Sequence, residues 1–404
     1  MKKFILILAI LITTIIPAQA SQQTMLYDQV WKLINSKYVD QTNNHQNWYK
    51  WRKKYDNQIK TYEDAYVAID TMLASLNDPY TKFLDPKEFK EETSNIRGSL
   101  KGIGVQIGVR DGKLLIIAPM EDTPGEKAGL KAEDEILEID GQSTKGISVD
   151  KAADLIRGEE GTIVKLLIKR KDVPNKLYSI PRATIEIKAV STKLPVDTVK
   201  LDPRVGYIRL SSFISQNAIQ EFKKALSGYT SKKGIIIDLR SNPGGLLTNA
   251  ISLSEVFLTK GSVIVSTVDR DNYKDTVKVQ GKYLCDKPVV ILINGGSASA
   301  SEIFSGAMKD NNRALIVGDK SFGKGLVQEI NKLPEGSGCN ITIQRYLTPS
   351  GADIHKKGIK PDVKVTFTPE DIKAKRDVQL EKANELLVKM INYQPQNYSK
   401  SSIQ

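Results

Sequence analysis

The sequence of 404 residues is poor in the side chains from which metal sites and disulfide frameworks are built. It contains only two cysteines, Cys285 and Cys339, and two histidines, His45 and His355. Two widely spaced cysteines do not make a disulfide framework, although a single bridge is chemically allowed in an exported protein. Because neither histidine stands in a metal-binding spacing with cysteines or carboxylates, we expect no metal and no other cofactor.

Long apolar runs and blocks of one charge are also missing. After the first twenty residues, no segment is apolar for long enough to cross a membrane. The net charge of +12 arises from 59 basic against 47 acidic residues, and the lysines are spread along the whole chain. This distribution predicts a mildly basic surface without a nucleic-acid-binding stripe, so nucleic acid is not an expected partner. The hydrophobic share of 40% excludes a disordered chain and favours several globular domains.

Residues 1–20 have the three-part pattern of a secretory signal peptide. A cationic head, Met1–Lys3, precedes an apolar stretch from Phe4 to Ile16, and Ala18-Gln19-Ala20 supplies small residues for cleavage. The pattern predicts an exported protein in the bacterial periplasm or at the exterior of the cell envelope. The apolar stretch is short for a bilayer span, but an uncleaved anchor or a peripheral membrane association is the alternative.

The pattern of the remaining sequence changes three times, which predicts an α+β protein of several domains. Residues 21–96 show the hydrophobic spacing of helices, and residues 97–182 indicate a β-rich domain of short strands and glycine turns. In residues 183–368 strands and helices alternate, which is typical of a layered α/β core with a mixed sheet. Residues 369–404 predict a charged C-terminal helix, interpreted as a capping or dimer-contact helix.

Small and hydroxyl residues are concentrated in the segment Asn294–Glu302, directly after an apolar strand predicted for Pro288–Ile293. At such a strand–turn–helix junction the free backbone N–H groups favour negative charge, so a serine there could be a nucleophile with a stabilised oxyanion. Helix capping explains the same serines equally well. A histidine base is disfavoured, because His355 lies in a polar stretch, Gly351–Gly358, that we expect to be an exposed loop.

Lysine can replace histidine as the base if burial lowers the pKa of its amine. Lys324 is the candidate, because its neighbours are apolar residues and glycines. On an extended strand it would share a face with Gln328, which could orient the amine. The segment Gly318–Lys324 also has the spacing of a phosphate-binding loop. Gly325 and a predicted strand follow it, however, where that loop requires a hydroxyl residue and a helix, so we do not expect nucleotide binding.

Five segments together resemble the carboxy-terminal processing (tail-specific) serine proteases. They are Asp238–Gly245, Ser297–Glu302, Gly318–Gln328, Tyr346–Gly351 and Lys357–Asp362. The stretches Gly102–Val105 and Asp134–Gly141 resemble the PDZ domain that these proteases carry. The resemblance extends from residue 25 to about residue 370 and implies a PDZ domain at residues 97–182 and the protease core at residues 183–368.

For the core, the resemblance implies an endopeptidase that cleaves protein substrates near their C-termini with a Ser–Lys dyad. It makes Ser299 the nucleophile, Lys324 the base and Gln328 the residue that orients the lysine. The backbone N–H groups of Gly245 and Ala300 would form the oxyanion hole, and glycine suits this position because no side chain blocks the substrate carbonyl. Asp310 is expected to be structural, because a helix would place it too far from Ser299.

For the PDZ-like domain, the resemblance implies that backbone amides bind the free C-terminal carboxylate of a substrate, which adds as a strand. The candidate residues are Gly102, Ile103, Gly104 and Val105. Protein substrates are therefore the expected partners, and a homodimer or higher oligomer is suggested by relatives that dimerise through N-terminal helices. Arg157 could transmit tail binding, although a solvated arginine is the simpler interpretation. A non-catalytic PDZ adaptor that binds protein C-termini is the alternative function.

Overall fold

The computed structural model describes residues 21–96, 99–120, 122–186, 188–196 and 198–393. The predicted signal peptide lies outside these residues. Within them, no helix combines the length and hydrophobicity that crossing a bilayer requires. The chain divides into two compact units, one formed by the chain up to Lys87 together with Gln328–Ile343, the other by Glu88–Val327 and the chain from Gln344 onward. The predicted domain boundaries stay predictions.

The described residues of the N-terminal unit form three α-helices, a short 3-10 helix (Pro334–Gly336) and a short sheet. The helices are α1 (Gln22–Lys37), α2 (Tyr49–Arg52) and α3 (Tyr62–Ala74), and the strands are β1 (Lys82–Leu84) and parts of β17 (Leu326–Lys332) and β18 (Gly338–Leu347). Ser21 caps α1, and Thr61 and Asp64 form a capping box at the start of α3. Both β1 and β17 pair with β18. The buried side chains of the helices pack on this sheet around Trp31 and Met72.

The β-rich domain of the second unit follows helix α4 (Pro86–Ile96). Strands β2 (Ser99–Gly102) and β9 (Ala183–Glu186) pair with each other. The main sheet has the order β3-β4-β5-β7-β8, with β6 beside β5. Its elements are β3 (Val105–Arg110), β4 (Lys113–Pro119), α5 (Pro124–Lys127), β5 (Glu135–Ile139), β6 (Gln142–Ser143), α6 (Val149–Ile156), β7 (Ile163–Lys169) and β8 (Lys176–Pro181). One apolar core that contains Ile103, Ile116 and Leu166 lies between this sheet and α6.

The core of the second unit is a six-stranded sheet of order β10-β11-β12-β15-β16-β19. All neighbours are parallel except the pair β10 and β11. The strands are β10 (Val190–Ser191), β11 (Val205–Leu210), β12 (Gly234–Asp238), β15 (Val289–Ile293), β16 (Ala314–Gly318) and β19 (Val363–Lys364). Every residue of β12 and β15 is buried, as expected for parallel strands covered on both faces.

Helices cover the two faces of this sheet. One face packs on α7 (Ala218–Ser227), α8 (Leu247–Phe257) and α9 (Ala300–Asp310), and the other packs on the C-terminal helix α11 (Val378–Tyr393). The remaining elements are β13 (Val263–Asp269) and β14 (Lys274–Lys278), which form a hairpin, and α10 (Pro369–Lys373). The predicted architecture of N-terminal helices, β-rich domain, α/β core with a mixed sheet and C-terminal helix is confirmed. Cys285 and Cys339 are buried free thiols.

This topology decides where the site lies. Because β12, β15 and β16 are parallel neighbours, their carboxyl ends meet at one edge of the sheet. The three loops that begin there are residues 239–246, 294–299 and 319–325. A crevice outside the carboxyl ends of parallel strands is the usual place for a ligand in an α/β sheet. The same loops contain the candidate oxyanion hole, nucleophile and base.

Candidate active site

Ser299 stands between the turn after β15 and helix α9. Its backbone has φ 53° and ψ −115°, which is a strained conformation for a residue with a side chain. The helix begins at Ala300, so Ser299 is its N-cap residue rather than its first helical residue. Ser297 has a structural contact, because its hydroxyl donates to the carbonyl oxygen of Leu239 at 2.7 Å. Ser299 is therefore a half-buried residue at the end of a tightly held turn.

Glu302 connects the segment of Ser299 to the segment of Lys324. Its side chain is only 1% exposed. Its Oε2 accepts the backbone N–H of Ser299 at 2.9 Å and that of Lys324 at 2.8 Å. Its Oε1 accepts the backbone N–H of Gly323 at 2.7 Å and the hydroxyl of Ser321 at 2.5 Å. One oxygen atom of this buried carboxylate thus accepts the backbone N–H groups of both the candidate nucleophile and the candidate base. Sequence reasoning missed this role, although Glu302 stands at the third position of the helix, where capping carboxylates are common.

Lys324 is half-buried and lies in the loop before β17. The strand predicted after Gly325 is confirmed, because β17 begins at Leu326 and Lys324 precedes it in the loop. That Lys324 shares a face with Gln328 stays a prediction. Gly323 and Gly325, on either side of Lys324, pack closely against the backbone of residues 355–358. Gln328 belongs to the N-terminal unit, where its amide donates to the hydroxyl of Thr342 at 3.4 Å. Its orienting role stays a prediction.

Tyr346 of β18 also contacts both segments. Its backbone N–H donates to the carbonyl oxygen of Gly325 at 3.0 Å, directly after the candidate base. Its hydroxyl donates to the carbonyl oxygen of Ser299 at 3.3 Å. Burial raises the pKa of Tyr346 well above its usual value, and the charges of Glu302 and Asp353 add to this effect. The phenol therefore stays neutral, and its hydroxyl remains a hydrogen-bond donor to the carbonyl oxygen of Ser299.

Gly244 and Gly245 bring a backbone turn against the start of α9. Their φ angles are 97° and 144°. A Cβ on Gly244 would lie 2.6 Å from the carbonyl oxygen of Ala298 and 2.8 Å from the nitrogen of Ala300, and one on Gly245 would lie 2.2 Å from the nitrogen of Ile214. Only glycine fits either position. Among the described residues, neither the Gly245 N–H nor the Ala300 N–H has a hydrogen-bond acceptor, as a pair of oxyanion donors requires.

Asn242 fixes the turn that presents Gly245. Its buried side-chain amide donates to the carbonyl oxygen of Leu210 at 2.8 Å, and its side-chain oxygen accepts the N–H of Gly244 at 2.9 Å. Its main-chain oxygen accepts the N–H of Ala298 and the hydroxyl of Ser301, both at 3.0 Å. The turn and the nucleophile segment are therefore bonded directly to each other.

Asp238, the last residue of β12, is a buried carboxylate behind this turn. Burial alone would raise its pKa, but hydrogen bonds and charge from Arg240, with a smaller contribution from Arg209, hold the pKa of Asp238 below its usual value. Tyr207 donates its hydroxyl to the same carboxylate at 2.8 Å. The carboxylate is therefore charged and fully engaged, which gives the backbone before the turn a fixed position.

Two other residues considered in the sequence, Asp310 and His355, lie in different places. Asp310 lies at the opposite end of α9, where its carboxylate accepts the N–H of Ser350 at 2.9 Å. His355 is half-buried rather than on an exposed loop. A Cβ on Gly325 would lie only 2.9 Å from the backbone nitrogen of His355. The loop folds back on the segment of the candidate base, which the polar sequence did not indicate. In the described part of the chain, no cluster of histidines, cysteines and carboxylates could hold a metal ion.

The four predicted tail-binding residues line a cavity of about 100 Å³ in the β-rich domain. Gly102 ends β2 and pairs with Ala183, and Gly104 has φ 71°. The carbonyl oxygen of Ile103 accepts the N–H of Gly125 at 2.7 Å, so α5 fixes the segment before β3. Apolar side chains form most of the wall: Leu100, Val105, Ile107, Met120, Ala153, Ile156 and Ile185.

Two cations, Lys101 and Arg157, also line this cavity. Arg157 is half-exposed and contacts Glu91 at 3.3 Å. The apolar wall with cationic side chains matches a peptide terminus that has an apolar side chain and a free carboxylate.

Comparison with known proteins agrees with this geometry. Residues 115–170 match the model of the PDZ domain, and residues 204–365 match that of peptidase family S41. The chain is therefore an S41-type peptidase that carries a PDZ domain. A carboxyl-terminal-processing protease of Synechocystis sp. is 40% identical over 91% of this chain and 87% of its own length. The chain belongs to the family of carboxyl-terminal-processing proteases.

Two further relatives support this assignment. The carboxy-terminal processing protease CtpA of Bacillus subtilis is 39% identical, over 77% of this chain and 66% of its own length. The solved structure of a photosystem II D1 C-terminal processing protease is 31% identical and has a TM-score of 0.59. The similarity covers 91% of this chain and 98% of the solved chain. The predicted PDZ domain and serine protease class are thereby confirmed.

Proposed function

We propose that this protein is an exported serine endopeptidase that cleaves protein substrates near their C-termini with a Ser–Lys dyad. One observation supports the dyad above all others: the carboxylate of Glu302 holds the N–H groups of Ser299 and Lys324 on one oxygen atom. Export rests on the sequence of the first twenty residues. Binding of substrate tails rests on the apolar cavity of the PDZ domain.

The reaction proceeds in two steps, acylation and deacylation of Ser299. The Ser299 hydroxyl attacks the scissile carbonyl while the neutral amine of Lys324 takes its proton, and the N–H groups of Gly245 and Ala300 stabilise the oxyanion. Collapse of this intermediate breaks the C–N bond, and the lysine returns the proton to the leaving amine. Water, deprotonated by the same amine, then attacks the ester carbonyl. The ester C–O bond breaks, the lysine returns the proton to the oxygen of Ser299, and the substrate leaves with a new C-terminal carboxyl group.

The alternative function is a PDZ adaptor without proteolytic activity. A mere scaffold needs neither the strained backbone at Ser299 nor the four donors that converge on the buried Glu302. These features favour the protease.

A cleavage assay on a peptide with an apolar C-terminal residue separates the two functions. Ser299→Ala and Lys324→Ala should each lower kcat by at least about 1000-fold and leave peptide binding unchanged. Lys320→Ala, in which an exposed lysine of the same loop is removed, is the matched control and should retain full activity. Residual cleavage by Ser299→Ala at the wild-type rate would contradict the proposal. Loss of activity in His355→Ala, with Lys324→Ala still active, would indicate a Ser–His mechanism instead.

The pH dependence gives a second test. Because only a neutral amine accepts a proton, activity should rise towards alkaline pH and fall in mild acid. A kcat/KM that stays flat from about pH 5 to 9 would contradict a lysine base.

A further inference from the structure

The beginning of helix α11 contacts two of the three loops that build the site. The helix packs on the sheet face opposite to α9, so its apolar residues do not reach the site. Two polar residues at its start, Asp377 directly before the helix and Gln379 in its first turn, are nevertheless buried at the carboxyl edge of the sheet. Polar side chains in a buried position contribute through their hydrogen bonds and not through apolar packing, so their partners indicate their role.

Asp377 holds Arg240, the residue directly before the turn that presents the candidate oxyanion donor. The two nitrogens Nη1 and Nη2 of Arg240 donate to Asp377 at 2.7 and 2.8 Å. The nitrogens Nε and Nη2 donate to Asp238 at 3.0 and 2.7 Å. A planar guanidinium between two bidentate carboxylates has one orientation only. Asp377 thus fixes Arg240 from the helix side, and Asp238 fixes it from the strand side.

Gln379 holds the segment that leads to Lys324. Its side-chain amide donates to Oδ2 of Asp319 at 3.0 Å and to the carbonyl oxygen of Val365 at 2.7 Å. Its side-chain oxygen accepts a hydrogen bond from Arg240 at 3.3 Å. Asp319 is the first residue after β16 and opens the loop that contains the candidate base. The amide of Gln379 therefore joins the oxyanion side of the site to the lysine side.

We propose that Asp377 and Gln379 are positioning residues for catalysis, which hold Arg240 and Asp319 and thereby align the turn 241–245 with the loop 319–324. The inference rests on the proposed function for its catalytic readout. The C-terminal helix is then part of the catalytic apparatus and more than a cap on the sheet. It touches no reacting atom and acts through the backbone of the two loops.

Kinetics of Asp377→Asn and Gln379→Ala test the proposal in the full-length protein. Each variant should lower kcat by about 10- to 100-fold and leave KM within about threefold, because misalignment affects the transition state more than binding. Glu385→Gln, the removal of an exposed carboxylate on the same helix, should match the wild type. All assays are run well below each melting temperature. Wild-type kcat in both folded variants would overturn the proposal.

A double-mutant cycle shows whether Asp377 acts through Arg240. The double variant Arg240→Gln, Asp377→Asn should be within about threefold of Arg240→Gln alone, because the shared pathway is already broken. Losses that multiply would overturn the assignment. If Asp377→Asn fails to fold, Gln379→Ala decides, since it leaves the Arg240–Asp377 pair intact.

Amide hydrogen exchange measures how firmly the two loops are held, and it needs no substrate. Amides in 241–245 and 319–324 should exchange at least about tenfold faster in the folded variants, and amides of the PDZ domain should not change. Unchanged exchange in both loops would overturn the proposal. If the wild type shows no Ser299-dependent cleavage, the proposed function fails, and the exchange rates still decide whether the helix holds the loops.

Discussion

The candidate active site and the PDZ cavity lie in the same unit but are stabilised by different interactions. Buried polar groups with several hydrogen bonds each, above all Glu302 and Asn242, surround Ser299. The PDZ cavity has a wall of aliphatic side chains, and its cations are partly exposed. Hydrogen bonds fix directions, whereas apolar contacts fix only volume and are tolerant of shape. The contacts around Ser299 therefore fix one geometry, whereas the wall of the cavity tolerates changes of shape.

The largest effect should follow a change at Glu302. In Glu302→Gln, an amide NH₂ replaces one of two oxygens that accept four hydrogen bonds, so buried donors lose their acceptor. We expect kcat to fall by at least about 100-fold, since small displacements of reacting groups carry such a cost. The free energy of unfolding should fall by about 2–4 kcal/mol. Steady-state kinetics and urea denaturation measure the two quantities.

Glu255→Gln is the control for this change. Glu255 also accepts two backbone N–H groups, those of Gln280 and Gly281, but it lies on α8 away from the site. The control should be active within about twofold, because the amide keeps an oxygen that can accept both N–H groups and no reacting group lies there. An active Glu302→Gln would remove the basis of the comparison between the two regions.

An intermediate effect should follow a polar substitution in the PDZ cavity. Ile156→Ser removes apolar surface from the wall, so an apolar-tailed peptide should bind about tenfold more weakly, as expected for a partly lost aliphatic contact. Fluorescence anisotropy of a labelled peptide measures this directly. Ile163→Ser, on the exposed side of the same domain, is the control and should not change binding. Equal binding by all three proteins would show that tails dock elsewhere.

The smallest effect should follow the loss of a single hydroxyl at Tyr346. Tyr346→Phe keeps the ring in the core and removes only the hydrogen bond to the carbonyl oxygen of Ser299. A net hydrogen bond of about 0.5–1.5 kcal/mol corresponds to a fall in kcat of about 2- to 10-fold. Tyr273→Phe, at an exposed position, should have no effect. A loss beyond about 100-fold would mean that the phenol participates in the chemistry.

The sequence allowed the elements of the site to be predicted better than the contacts between them. The sequence predicted a strand–turn–helix junction around Asn294–Glu302, and the structure ends β15 at Ile293 and begins α9 at Ala300. Turn chemistry and apolar runs likewise predicted the strands on both sides of the site. Such features depend on neighbours along the chain, which a single sequence displays.

Long-range contacts could not be predicted in this way. Arg240 and Asp377 are 137 positions apart and meet only because two elements pack on one sheet edge. The strand predicted after Gly325 is present, but the sequence did not show that Gly323 and Gly325 pack against the chain at residues 355–358. A single sequence shows which residues could bond and does not show which loop lies opposite them.

The strained conformation of Ser299 has a consequence for the history of the protein. A residue held at φ 53° and ψ −115° makes the fold less stable by about 1–3 kcal/mol. Under the proposed function, selection for turnover maintains this strained conformation, because glycine at this position would relieve it. A descendant that kept tail binding and no longer cleaved peptides would be free to lose its serine here, and its melting temperature would rise as a result.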